Sequence, residues 1–180
     1  MKELKLSLDM SSNLHSLELC KSNQSRIFKI DELLNLKLSL EKSEKKLVMT
    51  NGCFDLLHIG HLSYLYQARS MGDCLVVAIN SDDSVKKLKG SSRPINSLFE
   101  RQQMLLSLRF VDGIISFSET TPKHIYSQIK PHILVKGGDY TPKEIIGYDD
   151  VKDSGGQVRV INFIEGFSST SIIEKVKDMK

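Results

Sequence analysis

The chain has 180 residues, 40% hydrophobic and 26% charged, a balance that fits one globular domain large enough to bury a core. Its formal net charge of +3 is too small, and its lysines too scattered outside residues 86–89, to argue for a nucleic-acid partner. No apolar stretch approaches the roughly 20 residues that cross a bilayer, and the polar start with Lys2, Glu3, Lys5 and Asp9 lacks a signal-peptide core, so the expectation is a cytoplasmic protein with no membrane partner.

Residues 1–25 are rich in Ser, Asn, Lys and Leu without sustained periodicity and read as a poorly ordered or peripherally docked tail. Ile30, Leu33, Leu34 and Leu38 fall at helical spacing, which places a leading amphipathic helix in residues 26–45, ahead of a main domain over 46–180. Leu47, Val48 and Met49 form a short buried strand, a helix starts near His58, Gly72 closes its turn, and Cys74 to Ile79 is a second buried strand. Ser97 and Glu100 make an S-x-x-E capping box that predicts a helix over 98–110. Strands follow at 114–117, 133–135 and 158–161, with Pro122 opening a helix between the first two. This alternation predicts an α/β fold, a doubly wound parallel sheet of about five strands with its ligand at their carboxyl ends. Cys20, Cys53 and Cys74 are odd in number and form no CxxC pair, so neither a disulfide framework nor a zinc knuckle is indicated.

The candidate polar groups fall just after predicted strands. In TNGCFDLLHIGH, residues 50–61, Asn51-Gly52 permits a close backbone approach, and His58 and His61 stand at an i, i+3 step that puts both imidazoles on one helix face. The first helical turn offers unpaired N–H groups to an anion, and Gly60 lets a phosphate approach between the rings. Read alone, HxxH also fits half a metal site or an exposed helix face, but no Cys, Asp or Glu follows at a convincing third-ligand spacing. Asp55 either caps the helix or orients the His58 loop and metal-bound phosphates. Lys86, Lys87 and Lys89 form a solvated face or, with the flexible Gly90-Ser91-Ser92-Arg93 segment, a cationic lid over a triphosphate. Arg101 in the first turn of its helix opposes the dipole, which an anionic ligand would explain, whereas Arg109 near the helix end reads as an ordinary cation paired with Asp112. In Lys136-Gly137-Gly138-Asp139-Tyr140 the glycines imply close backbone approach, and Asp139 can accept from sugar hydroxyls. Ser168, Ser169, Thr170 and Ser171 cluster at a helix start, where hydroxyls and free N–H groups suit the β and γ phosphates.

GCFDLLHIGH resembles the HxGH motif of the nucleotidyltransferase superfamily, in its cytidylyltransferase-like branch. Arg109 to Asp112 resembles that branch's R-Y-V-D, and Ser168-Ser169-Thr170 its I-S-T-T. The string VKGGDYTPKEIIG, continuing to residues 155–158, resembles the heptose 1-phosphate adenylyltransferases, and Phe163 stands where glycerol phosphate cytidylyltransferases usually carry arginine. The likeness runs from about Ile27 to Val176 and implies a Rossmann-like domain that transfers AMP from ATP to D-glycero-D-manno-heptose 1-phosphate, giving ADP-heptose and pyrophosphate. It assigns catalysis to His58, His61, Lys89 and Arg101. ATP would be held by Asn51, Gly52, Cys53, Phe54, His58, Gly60, His61, Lys89, Gly137, Asp139, Phe167, Ser168, Ser169 and Thr170, and the sugar phosphate by Asp55, Lys87, Arg93, Lys136 and Asp139. Mg2+ is expected on the ATP phosphates, with no metal ligands from the protein. A homodimer is expected, through the apolar face of residues 33–38.

Three other readings stand beside this one. Within the same chemistry the chain is a cytidylyltransferase or another phospho-acceptor enzyme, using glycerol 3-phosphate or FMN. Outside it, the chain is a catalytically idle nucleotide-binding module, or an HxxH metal protein.

Overall fold

The computed structural model describes residues 22–162 and 166–179. Residues 1–21, which hold most of the expected tail, and Phe163 lie outside the described residues.

Five strands, β1 (Leu47–Gly52), β2 (Cys74–Asn80), β3 (Gly113–Phe117), β4 (Ile133–Gly137) and β5 (Gln157–Ile161), form one parallel sheet in the order β3-β2-β1-β4-β5. The chain winds outward from β1 through β2 to β3, then crosses back to lay β4 on the other side of β1. That reversal opens a crevice at the carboxyl ends of β1 and β4, the expected ligand position in such a sheet.

The helices cover both faces. They are α1 (Ile30–Lys42), α2 (Ile59–Arg69), α3 (Asp82–Lys89), α4 (Leu98–Leu106), α5 (Lys123–Ile129), α6 (Tyr148–Asp153) and α7 (Ser169–Lys177), with a 3-10 turn at Pro142–Glu144. Strand alternation sorts the core into two layers. Val48, Leu75, Val77 and Val135 pack against Tyr64, Leu65 and Ala68 of α2 and Leu105 of α4. Leu47, Met49, Val76 and Leu134 pack against Leu33 of α1, Tyr126 and Ile129 of α5, and Val151 of α6. Each such aliphatic side chain contributes about 1.5–3 kcal/mol through burial.

Arg26 and Ile27 fasten the segment ahead of α1 to the sheet. Ile27 makes a parallel bridge to Ile114, Phe28 N donates to the Ile114 carbonyl at 2.7 Å, and the Arg26 guanidinium donates to the carbonyls of Leu106, Val111 and Asp112. Only the Gly113 backbone leaves room for the Phe28 ring, since a Cβ there would fall 2.2 Å from Phe28 Cε2.

Several expectations change in detail. The helix foreseen over 98–110 stops at Leu106, because the chain turns through Ser107 and Leu108 to enter β3, although its Ser97–Glu100 capping box is present. Lys86, Lys87 and Lys89 lie in the last turn of α3, a helix not foreseen from the sequence and capped by the Ser81 side chain. Leu33 of α1 is fully buried and Leu34, Leu36 and Leu40 pack beside it, so most of the face offered to a dimer is used within the chain; Leu38 remains exposed. Among the described residues no helix is long and apolar enough to cross a membrane.

Candidate active site

The turn after β1 shapes the site. Phe54 takes a left-handed φ of 47°, and its ring lies so close to Gly52 that a Cβ there would sit 2.9 Å from Phe54 Cε2. Asp55 follows, buried, and accepts from the backbone N–H groups of Ile95 (2.8 Å) and Asn96 (3.0 Å) and from the Arg93 guanidinium. These donors hold its carboxyl below the usual carboxylate range against the opposing effect of burial. Asp55 is therefore neither a helix cap nor open to a phosphate; it ties the 93–96 loop to the histidine loop.

His58 is the N-cap residue of α2, with its side chain free of any capping bond. Its ring stacks on His61 with centroids 3.8 Å apart and planes inclined by 26°, and Phe54 leans on His61 at 5.2 Å. The i, i+3 spacing thus brings the two imidazoles together. Nδ1 of each ring is buried without a hydrogen-bond partner. Burial lowers the His58 pKa, and burial followed by the neighbouring His58 lowers that of His61 to about 4, the Leu56 carbonyl opposing in part. Both imidazoles are neutral at pH 7, so each offers one ring N–H donor and one acceptor nitrogen rather than a fixed charge.

These rings border a cleft of about 630 Å³ at the strand ends. Of the expected residues, Asn51, Gly52, Cys53, Phe54, Asp55, His58, His61, Lys89, Arg93, Lys136, Phe167, Ser168, Ser169 and Thr170 line it. Lys136 donates to Asn51 Oδ1 at 3.1 Å, and burial lowers the pKa of its ammonium. Cys53 stays a thiol, since burial raises its pKa more than Lys89, Arg101 and Lys136 lower it. At α7 the Ser168 hydroxyl accepts from Ser171 N at 3.0 Å, and the Ser169 hydroxyl donates to the Leu56 carbonyl at 2.9 Å, fastening α7 to the loop before His58.

Five expected residues do not line the cleft. Arg101 is fully buried beneath it, donating to Asp82 Oδ1 (2.8 Å) and to the carbonyls of Cys53 (2.6 Å) and Asn96 (3.1 Å), so a protein carboxylate supplies the anion that its place in α4 demanded. Gly60 is buried and makes room for a ring rather than for phosphate: a Cβ would lie 3.0 Å from His58 Nδ1. Lys87 is exposed on α3 away from the cleft, while Lys89 faces it. Gly137 is buried as the last residue of β4, and Asp139 is exposed outside the lining. Arg109 is exposed, and Asp112 pairs instead with Arg69 at 2.9 Å.

Sequence reasoning missed Asn80, Thr120, Thr121 and Tyr140, which complete the cleft together with Leu88, Pro122, Glu144, Ile145 and Ile146. Asn80 ends β2, and the two threonines follow β3, so the strand-end rule that found the histidines also marks these positions. Among the described residues no three His, Cys, Asp or Glu side chains gather as metal ligands.

Comparison with known proteins agrees with this geometry. The sequence profile of the cytidylyltransferase-like family matches residues 49–175. Bifunctional protein HldE of Haemophilus influenzae is 57% identical over 136 residues, covering 76% of this chain and 29% of the relative, and that of Actinobacillus succinogenes is 52% identical over 151 residues, covering 83% and 32%. The chain thus spans about a third of the length of these curated relatives. The crystal structure of the lipopolysaccharide core biosynthesis protein from Thermoplasma volcanium superposes with a TM-score of 0.54 at 28% identity, covering 67% of this chain and 97% of that one. With the profile matching from β1 through most of α7, and the stacked histidines at the strand-end crevice, the chain belongs to the cytidylyltransferase-like family.

Proposed function

We propose that this chain is an adenylyltransferase: a phosphate oxygen of D-glycero-D-manno-heptose 1-phosphate attacks the α-phosphorus of ATP, a new P–O bond forms, the bond to the β-phosphate bridge breaks, and ADP-heptose and pyrophosphate leave. The observation that carries this reading is the stacked, neutral His58–His61 pair bordering a cleft that also holds Lys89 and the start of α7. The attacking phosphate is already anionic near neutral pH, so no general base is needed. Catalysis then consists of holding the reactants in line and stabilising charge that develops on the α-phosphate. His58 and His61 donate to that phosphate, Lys89 adds positive charge, and the α7 terminus receives the β and γ phosphates. Arg101 acts from below, by holding the Cys53 carbonyl and the 96–101 turn in place.

Mg2+ would enter on the ATP phosphates and supply charge neutralisation there. Asp55, whose carboxylate already accepts from Arg93, Ile95 and Asn96, would be no ligand to it. The likeness to a lipopolysaccharide core biosynthesis protein and to HldE supports a heptose acceptor and a glycan-precursor product. A cytoplasmic enzyme is proposed, since ATP is its substrate. A homodimer is proposed from the family resemblance alone, and light scattering that found only monomer would remove it.

Pyrophosphate release is measured with Mg-ATP and each heptose 1-phosphate anomer separately, beside CTP with glycerol 3-phosphate. Release with ATP and one anomer is expected. Release only in the CTP arm would make the chain a cytidylyltransferase, the reading that the family's own name favours. Nucleotide binding without release in any arm would make it an idle binding module.

A further inference from the structure

The polar groups of the cleft divide between the two faces of the sheet. His58 and His61 lead into α2, which packs on the layer of Val48 and Val77. Asn51 continues the alternation of Leu47 and Met49 and turns to the opposite layer, where Tyr126 of α5 is fully buried. There the Tyr126 hydroxyl donates to Asn51 Oδ1 at 3.3 Å, and Lys136 Nζ donates to the same oxygen at 3.1 Å. A carboxamide oxygen accepts two hydrogen bonds, and an ammonium has three donors. The two contacts therefore fill the Asn51 oxygen and fix which way its amide faces, while Lys136 keeps two N–H groups for a ligand. Burial raises the pKa of the Tyr126 phenol, so it remains a donor at any ordinary pH.

We propose that Tyr126 is a positioning residue that acts through Asn51, orienting Asn51 Nδ2 and Lys136 Nζ as a two-donor cradle for the phosphate or hydroxyl oxygens of the acceptor. The assignment to the acceptor rests on the transferase reading above: with the triphosphate against His58, His61 and α7, the attacking molecule takes the part of the cleft beside Asn51 and Lys136. Tyr126 touches neither substrate. Its hydroxyl is needed because without it the carboxamide has one fixed donor and is free to turn its oxygen toward an anion.

The test compares the full chain with Tyr126→Phe and Asn51→Asp by steady-state kinetics and by NMR of the Asn51 side-chain amide. For Tyr126→Phe the expected result is a KM for heptose 1-phosphate raised about 5- to 10-fold, with kcat and the KM for ATP within about twofold of the parent. Equal losses for both substrates, or no change, would overturn the proposal. Asn51→Asp decides independently if Tyr126→Phe folds poorly. An aspartate keeps an acceptor for Lys136 but replaces the Nδ2 donor with an acceptor-only, charged group, so acceptor binding is expected to be lost, and its retention overturns the proposal. Should the parent turn over no sugar phosphate, the transferase reading fails, and the cradle is read with inorganic phosphate. A shift of the Asn51 amide resonances that disappears in Tyr126→Phe supports it, and no shift in the parent overturns it.

Discussion

The imidazoles of His58 and His61 lie face to face, 3.8 Å apart, with Nδ1 of each buried and unpaired. Two cations could not share that spacing at low cost, so the stack persists only with at least one ring neutral.

This sets a dependence of stability on pH. The unfolded His61 titrates near 6.5 and the folded one at about 4. Above pH 6.5 neither state binds the proton and the fold has its full stability. As pH falls, the unfolded chain takes up the proton first, so stability declines toward the folded value. The loss at pH 5 relative to pH 7 is at most about 2 kcal/mol from this group. Urea unfolding at the two pH values measures it, and His61→Asn should lose correspondingly less.

Turnover should depend on the same ring. Removing a donor aimed at developing charge costs about 2.7–4 kcal/mol of transition-state stabilisation, or roughly 100- to 1000-fold in kcat. His61→Ala is expected to show that fall while keeping its circular dichroism spectrum; an unchanged kcat in the folded variant would refute the assigned role.

Gly60→Ala separates stability from activity. The added methyl group suits a helix and should not lower the melting temperature through backbone propensity. It would meet His58 Nδ1 at 3.0 Å and Cε1 at 3.1 Å, so the ring must shift. A kcat reduced about tenfold or more, with the melting temperature nearly unchanged, is expected on the ground that small misplacements of reacting groups are costly. Calorimetry and pyrophosphate release on the same sample check both parts.

Arg101 should behave in the opposite way. Its replacement by Met removes donors from two carbonyls and from Asp82, costing about 2–4 kcal/mol of stability. Arg101→Lys is expected to recover only part, because a single ammonium cannot reach three acceptors with a guanidinium's fixed geometry. Denaturant titration of the two variants ranks them.

The fold was legible because β1 to β4 each contain a short apolar run, as at Cys74 to Ile79, and because the capping box at Ser97 and Glu100 is local chemistry. The histidine stack was legible for the same reason: an i, i+3 step needs no tertiary information. The partners of Arg101 and Asp55 were not legible because they are distant in sequence; Asp82 and the Ile95–Asn96 amides meet them only after the chain has wound around β1 and β2. Helix α3 went unseen because Lys86, Lys87 and Lys89 dominate a short segment whose apolar face consists of little more than Val85 and Leu88. The Tyr126 contact with Asn51 joins residues 75 positions apart, and no spacing rule reaches that far along the chain.

The Ile27 bridge to Ile114 also determines how the molecule meets others of its kind. It occupies the free side of β3 at Ile114 with this chain's own backbone, which obstructs continuous pairing by a foreign strand along that margin. The opposite margin is β5, where exposed Gln157 and Arg159 alternate with half-buried valines. An incoming strand there would have to align beside a guanidinium, a local deterrent to the runaway sheet growth that leads to aggregation.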